Sequence, residues 1–265
     1  MENTCLNCSR PITENFCGNC GQKKFKRIDK KYLIDELQYS VIHTNKGFFY
    51  SIKNIIKNPG KTARDFIDGD RINHYKPISL AFILSGISAF ISYKVLGLNG
   101  IMKSYYIGKN VSDSLGGDII AFLTSYNSAI MLLLIPVISL FTKVAFRKWG
   151  QNYYEHIVMN AYIQNFFTII SILLSYPILY LLRNDPGNFM LAANSLSFII
   201  IIFSMIWFYK EFYKEKSMTS IILKILLVFL MLFVSYIVFI FAAVVVYVII
   251  KGPESLKYLQ QGKSS

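Results

Sequence analysis

Two Cys-x-x-Cys pairs near the start of the chain, Cys5 with Cys8 and Cys17 with Cys20, are the residues whose type and spacing most clearly indicate chemistry. Their four thiolates, presented on two tight turns, match the tetrahedral ligand set of a structural Zn²⁺ site. A segment this short buries too little apolar surface to fold alone, and a bound metal supplies the missing free energy. The spacing therefore predicts a zinc ribbon over residues 1–22, with Phe16 covering the site and Zn²⁺ as a structural cofactor.

Two disulfides, or a redox-active Cys-x-x-Cys pair, are the alternative interpretations of these cysteines. The first apolar stretch begins only near residue 77, so we expect no cleaved signal peptide and a reducing compartment, which favours zinc. Four protein ligands leave no open coordination position, so metal catalysis is not expected. Because no nucleophile motif, P-loop or dinucleotide fingerprint is visible either, we expect that the protein is not an enzyme.

The composition indicates a membrane protein. Hydrophobic residues make up 54% of the 265 residues and charged residues only 16%, which is too apolar for an ordinary soluble domain. The formal net charge of +13 is compatible with nucleic-acid binding. In a membrane protein, however, surplus Lys and Arg more often mark cytoplasmic loops that contact anionic lipid. We therefore expect a bilayer with an anionic cytoplasmic leaflet as the partner, and not nucleic acid.

Long apolar runs begin at Pro77, and each approaches the ~20 residues that a helix needs to cross a bilayer. We predict an all-α integral membrane protein with about five transmembrane helices, although four or six are also compatible with the pattern. A polar tail, 251–265, follows the last of them. The five predicted spans are Ile78–Gly97, Ile119–Thr142, Ile157–Leu182, Met190–Tyr209 and Ile221–Ile250.

The distribution of positive charge predicts the orientation. With a cytoplasmic N-terminus, the inner segments 1–77, 143–156 and 210–220 hold 20 of the 28 Lys and Arg, and the outer segments hold 7. Such an asymmetry favours the N-terminus inside and the C-terminus outside. The long first segment dominates this count, so the prediction is firmer for the N-terminus than for the tail.

Residues 23–76 are predicted to form basic amphipathic helices between the ribbon and the membrane. Ile28–Val41 carries a helical apolar stripe after the basic run Lys23–Arg27, and Lys46–Asn58 repeats the pattern before Pro59 and Gly60 end it. A third short helix is predicted at Thr62–Asp68. Helices of this kind favour the cytoplasmic membrane interface. The alternative is a small soluble domain that packs the same stripes inward.

Polar side chains recur every three or four residues along the third predicted span, so they share one helical face. A polar stripe in hydrocarbon is costly unless it faces partners or water. It either lines a path or cavity for a small solute or headgroup, or it forms hydrogen bonds between helices. We weigh the second interpretation more heavily. The stripe consists of His156, Asn160, Gln164, Thr168, Ser171 and Ser175.

Several basic residues flank the predicted spans on the inner side. They are candidates for binding lipid phosphate, although simple topology anchors are the more common role of such residues. The candidates are Arg71, His74, Lys76, Arg147 and Lys148.

Several motifs resemble a family of zinc-ribbon-headed membrane proteins, the domain of unknown function 3667. The matching runs are Asn15–Gln22, Lys46–Phe49, Asn58–Lys61 and Gly69–Pro77, and Phe146–Lys148 with Asn152–Val158 is also similar. The resemblance covers residues 1–95 well and 140–165 more loosely. It implies a multi-pass protein of the bacterial inner membrane, and it implies no activity.

Three functions agree with these features. The first is a membrane-anchored interaction or scaffold protein whose ribbon recruits a cytosolic protein partner. The second is a channel, pore or transporter that uses the polar stripe. The third is a nucleic-acid-responsive membrane protein that uses the ribbon and Lys23–Arg27. The sequence is also compatible with a homo-oligomer, and it specifies neither the ligand nor the partner.

Overall fold

The computed structural model describes residues 4–5, 8–21, 47–70, 74–107 and 127–251. The basic run Lys23–Arg27, the predicted helix Ile28–Val41, Arg71, the first residues of the second predicted span, and the tail 252–265 lie outside the described residues. The chain divides into two compact units, Met1–Phe48 and Phe49–Ser265. We call the described part of the first unit, residues 4–21, the head, and the second unit the bundle.

The described residues of the bundle form helices joined by short loops. In chain order the helices are α1 (Gly47–Lys57), α2 (Pro59–Ile67), α3 (Pro77–Phe90), α4 (Leu98–Ile107), α5 (Asn127–Ala145), α6 (Tyr153–Ile170), α7 (Tyr176–Leu182), α8 (Pro186–Phe212) and α9 (Met218–Lys251). A π-helical turn at Ile91–Val95 extends α3, and another at Ser171–Ser175 joins α6 to α7 in one continuous rod.

Four stretches of the described residues are long and apolar enough to cross a membrane, which confirms the all-α membrane fold. They are Pro77–Val95, Tyr153–Leu182, Pro186–Phe212 and Met218–Ala242. They correspond to the first, third, fourth and fifth predicted spans. The second predicted span corresponds to α5, whose apolar part Leu132–Ala145 is shorter than a span. The described residues therefore give four spanning helices and one shorter apolar helix.

The helices that contain the third and fourth predicted spans begin four residues before those spans, because polar caps set the helix starts. Asn152 accepts a hydrogen bond from the backbone N–H of Glu155, whose carboxylate accepts one from the N–H of Asn152. This capping box begins α6 at Tyr153. Asp185 caps α8 in a similar way, with Pro186 as the first helical residue.

Helix α6 lies at the centre of the bundle and packs against α2, α3, α5 and α8. The small side chains of Ala81 on α3 and Ala161 on α6 allow close contact, and both are buried in one cluster with Ile135 of α5. The chain reverses direction at the two ends of the bundle. We call one the α2 end, where α2 lies with the loops 146–152 and 213–217, and the other the α4 end, where the loops 96–97 and 183–185 lie.

Helix α2 packs against the bundle helices α6 and α8. As predicted, the preceding helix ends before Pro59 and Gly60, which are the first two residues of α2 and are both buried. The amide of Asn58 donates to the Glu211 carboxylate at 2.7 Å, and Arg64 donates to the Phe212 carbonyl, also at 2.7 Å. These bonds fasten α2 to the last turn of α8.

Candidate functional site

The four cysteines of the head lie close enough to hold a metal ion. Their sulfur atoms all fall within 4.8 Å of one another. The Cys5 and Cys20 sulfurs are 3.5 Å apart, and those of Cys8 and Cys17 are 3.6 Å apart. Tetrahedral thiolates at about 2.3 Å from Zn²⁺ would be roughly 3.8 Å apart, whereas a disulfide bond is about 2.0 Å long. The geometry therefore fits a four-thiolate metal site and not two disulfides.

Local backbone turns place the sulfurs. Cys5 donates its N–H to the Arg10 carbonyl at 2.7 Å, and the N–H of Gly21 reaches the Cys17 carbonyl at 2.9 Å. The turns require left-handed backbone at Ser9 (φ 58°) and Gly21 (φ 71°). Gly21 adopts this conformation without steric cost, which explains a glycine directly after the last cysteine.

The electrostatics of the head favour thiolates. Hydrogen bonds from the backbone N–H groups of Cys20 and Asn19 lower the pKa of the Cys17 thiol. A lower pKa raises the fraction of the metal-binding thiolate form at neutral pH. The turns that position the sulfurs thus also prepare at least one of them for the metal.

The head has almost no core apart from the cysteines. Its buried cluster consists of Cys5, Ile12 and Cys17, with Cys8 packed against it. Phe16, which was predicted to cover the site, is 57% exposed. Ile12 occupies the protected position instead. Phe16 lies beside Pro11 and Thr13 on a surface depression of about 470 Å³.

The polar stripe of the third predicted span faces the protein interior. Five of its six members are buried, and Gln164 is half-buried. The Asn160 amide lies 2.9 Å from the Thr142 hydroxyl and 3.1 Å from the Ser139 hydroxyl of α5. These contacts favour hydrogen bonding between helices at the centre of the stripe.

The other members of the stripe contribute differently. Gln164 donates to Thr168 within α6 at 3.3 Å. Both ring nitrogens of His156 and the Ser175 hydroxyl are buried without a hydrogen-bond partner among the described residues. Asn165 lies beside the stripe and donates to the Pro77 carbonyl at 3.0 Å, which joins α6 to the first turn of α3.

Replacing Asn160 by leucine is expected to lower the stability of the bundle by about 1–2 kcal/mol, because its amide loses the buried hydrogen bonding to α5 that it shares with a bond to the His156 carbonyl of α6. Thermal unfolding of the full chain in neutral detergent measures this. Gln164→Leu is the matched control, since its bond lies within one helix and should cost less. Equal stability of both variants would contradict the role of Asn160 as a link between helices.

The residues predicted to bind lipid phosphate differ in their exposure to solvent. His74 is buried against the rings of Tyr50 and Phe66, and burial lowers the pKa of its imidazole. A neutral, buried imidazole is a poor ligand for phosphate. Lys76 is exposed before α3, and Arg71 lies outside the described residues.

Arg147 and Lys148 are exposed beside Lys224 of α9, a residue that was not predicted to be functional from the sequence. The ammonium of Lys224 donates to the Ala145 carbonyl at 2.6 Å and lies 5.0 Å from the centre of the Trp149 ring. It therefore binds the C-terminus of α5. The sequence feature that could have identified Lys224 is its position as a lone lysine near the start of an otherwise apolar helix.

Comparison with known proteins gives one match. No curated protein and no solved structure matches the chain. The family described as "Protein of unknown function (DUF3667)" matches residues 45–89. The matched segment contains α1, α2 and most of α3, including the Asn58–Lys61 run that begins the contact with α8. Over residues 45–89, the chain is therefore similar to the domain of unknown function 3667.

Proposed function

We propose that the chain is a multi-pass protein of the bacterial inner membrane whose zinc-bound head recruits a cytosolic protein. The observation that carries this proposal is the combination of a closed four-thiolate site and an exposed aromatic ring, Phe16, in a unit separate from the bundle. A metal without an open ligand position is suited to holding a small surface in shape. Exposed aromatic side chains beside such a scaffold are typical anchors of protein interfaces.

The charge of the head supports a protein partner over nucleic acid. Four thiolates outweigh the charge of one Zn²⁺, so the metal centre would be net negative. Arg10 and Glu14 are the charged side chains of the described head, and they offset each other. Nucleic-acid binding needs several uncompensated cations along the phosphate backbone. The nucleic-acid hypothesis therefore depends on Lys23–Arg27, outside the described residues.

The charges of the bundle support a cytoplasmic N-terminus. Among its described residues, Lys and Arg in the loops and terminal turns are far more numerous at the α2 end than at the α4 end. Because cytoplasmic loops collect positive charge, the α2 end is proposed to face the cytoplasm. The α2 end carries Lys53, Lys57, Lys61, Arg64, Lys76, Lys143, Arg147, Lys148, Lys210, Lys214 and Lys216, and the α4 end carries Lys94, Lys103, Arg183 and, at the end of α9, Lys251.

Substitution of Phe16 by alanine tests the proposal in the full chain. We expect the variant to keep its metal, since Phe16 is mostly exposed, and to lose a defined set of proteins that cross-link to the wild-type chain in native membranes. Tyr154→Ala is the matched control, because Tyr154 is 75% exposed and belongs to the bundle. If Phe16→Ala retained the same cross-linked proteins as wild type, the recruiting role of the head would be refuted.

The transport alternative rests on the polar stripe. The hydrogen bonds of Asn160 to α5 account for the middle of that stripe without a path. Solute or ion flux through wild-type liposomes that disappears in the Asn160→Leu, Gln164→Leu double variant would establish it nevertheless.

A further inference from the structure

A pocket of about 420 Å³ opens at the α4 end of the bundle. It lies between the π-helical turn that extends α3, the first turns of α4, and the loop that joins α7 to α8. Among its lining residues are Lys94, Gly97, Ser104, Arg183 and Asn184. It is remote from the polar stripe's contacts with α5, and neither the sequence motifs nor the family match assign it a role.

The charges on this pocket are positive and uncompensated. Lys94 and Arg183 both line it, and its lining contains no carboxylate among the described residues. Within the part of the chain that the structure describes, neither cation forms an ion pair. The Arg183 guanidinium lies 4.0 Å from the centre of the Tyr180 ring, an arrangement that leaves its N–H groups free to bind an anion.

The nearest carboxylate in sequence is already engaged. Asp185 accepts hydrogen bonds from the backbone N–H and the side-chain amide of Asn188, at 3.0 and 2.7 Å. These bonds lower the pKa of Asp185, which therefore stays ionised as the cap of α8. Asp185 forms no ion pair with Arg183 among the described residues.

The floor of the pocket is fixed by packing. Leu96 and Ile101 line the pocket and are buried in one cluster with Leu179 and Phe189. Gly97 and Gly100 leave open space where a side chain would stand. A ligand can therefore approach the backbone at the start of α4, where the helix carries partial positive charge, although the N–H groups of Gly100 and Ile101 already donate to the Gly97 carbonyl.

We propose that this pocket binds a phosphate group. The Arg183 fork and the Lys94 ammonium supply the charge, and Ser104 and Asn184 supply neutral polar groups at the same cavity. The rod Pro77–Val95 has 19 residues and is about 28 Å long, close to the thickness of a hydrocarbon core. Lys94 therefore lies at headgroup depth. The phosphate belongs either to a lipid headgroup or to a soluble phosphate compound.

Binding measurements on the full chain distinguish these sources. Native mass spectrometry of the protein from nanodiscs of phosphatidylcholine with phosphatidylglycerol counts retained anionic lipid. Calorimetry in neutral detergent measures binding of glycerol phosphate. In the Lys94→Gln, Arg183→Gln double variant we expect at least about tenfold weaker binding, the loss typical of charge-assisted hydrogen bonds. Lys103→Gln is the matched control, since Lys103 lies on α4 but does not line the pocket.

The outcomes separate clearly. If the double variant loses retained lipid while glycerol phosphate does not bind to wild type, the ligand is a lipid headgroup. If the double variant loses glycerol phosphate binding, the ligand is a soluble phosphate compound. No binding of either probe by wild type overturns the proposal, as does an equal loss in Lys103→Gln. If the double variant does not assemble, Lys94→Gln alone should bind a few-fold more weakly, and unchanged binding in that variant likewise overturns it.

Discussion

Replacing Cys17 by serine is expected to remove the metal and unfold the head while the bundle remains assembled. The buried cluster of the head contains Ile12 besides cysteines, so little apolar burial remains once the metal is lost. Structural Zn²⁺ sites of this kind contribute on the order of 10 kcal/mol to folding. Because the head is a compact unit of its own, the effect should stay within it.

Metal analysis and limited proteolysis of the full chain check this expectation. Wild type should carry one zinc per chain and resist cleavage within residues 4–21, whereas Cys17→Ser should lose the zinc and be cleaved there. A strong chelator should reproduce both changes in wild type. Thr13→Ala, an exposed substitution in the same unit, is the control. A variant that retains zinc, or a wild-type head that resists proteolysis without metal, would contradict a metal-dependent fold.

The cluster of four cysteines that could hold a metal could be predicted because its signal is local. Two Cys-x-x-Cys turns carry their own geometry, and the sulfurs of Cys5 and Cys20 meet as that spacing requires. The spanning helices were predictable for a similar reason, since length and apolarity are properties of one segment. Helix α4 was missed because its ten residues mix glycine, polar and apolar side chains without a clear period.

Which side of an apolar helix faces protein was not predictable. Lipid and protein interior are both apolar, so the sequence of α9 does not reveal that Ile221, Ile225 and Val228 are buried while most of its described side chains are exposed. Polar residues gave a better signal, as the stripe around Asn160 shows. The close approach of Gly60 to the backbone of α8 left no signal in either segment, because backbone atoms do not depend on the residue type.

Gly60→Ala is expected to destabilise the bundle strongly because the backbone of α8 lies directly against Gly60. A Cβ atom at this position would overlap the Phe208 carbonyl oxygen and would lie 2.7 Å from the Phe212 nitrogen. Neither atom can move without disturbing α8, so α2 must shift outward. That shift also strains the bonds from Asn58 to Glu211 and from Arg64 to the Phe212 carbonyl. Overpacking and these bonds together predict a loss of about 3 kcal/mol or more.

Thermal unfolding of the full chain in neutral detergent measures the loss, and Gly86→Ala is the matched control. Gly86 lies within α3, and a Cβ atom added there would meet no atom within 4 Å. Alanine at that position should therefore be neutral or stabilising by up to about 1 kcal/mol. Arg64→Ala removes the bond to the Phe212 carbonyl and the exposed ion pairs to Asp68 and Glu215 without a clash, and it should fall between the two. Equal unfolding temperatures for Gly60→Ala and Gly86→Ala would show that α2 does not pack so closely on α8. If the unfolding temperature instead falls in the order Gly86→Ala, Arg64→Ala, Gly60→Ala, the backbone contact at Gly60 is the most sensitive of the three positions. The segment matched by the family model then serves to hold α2 against the last turn of α8.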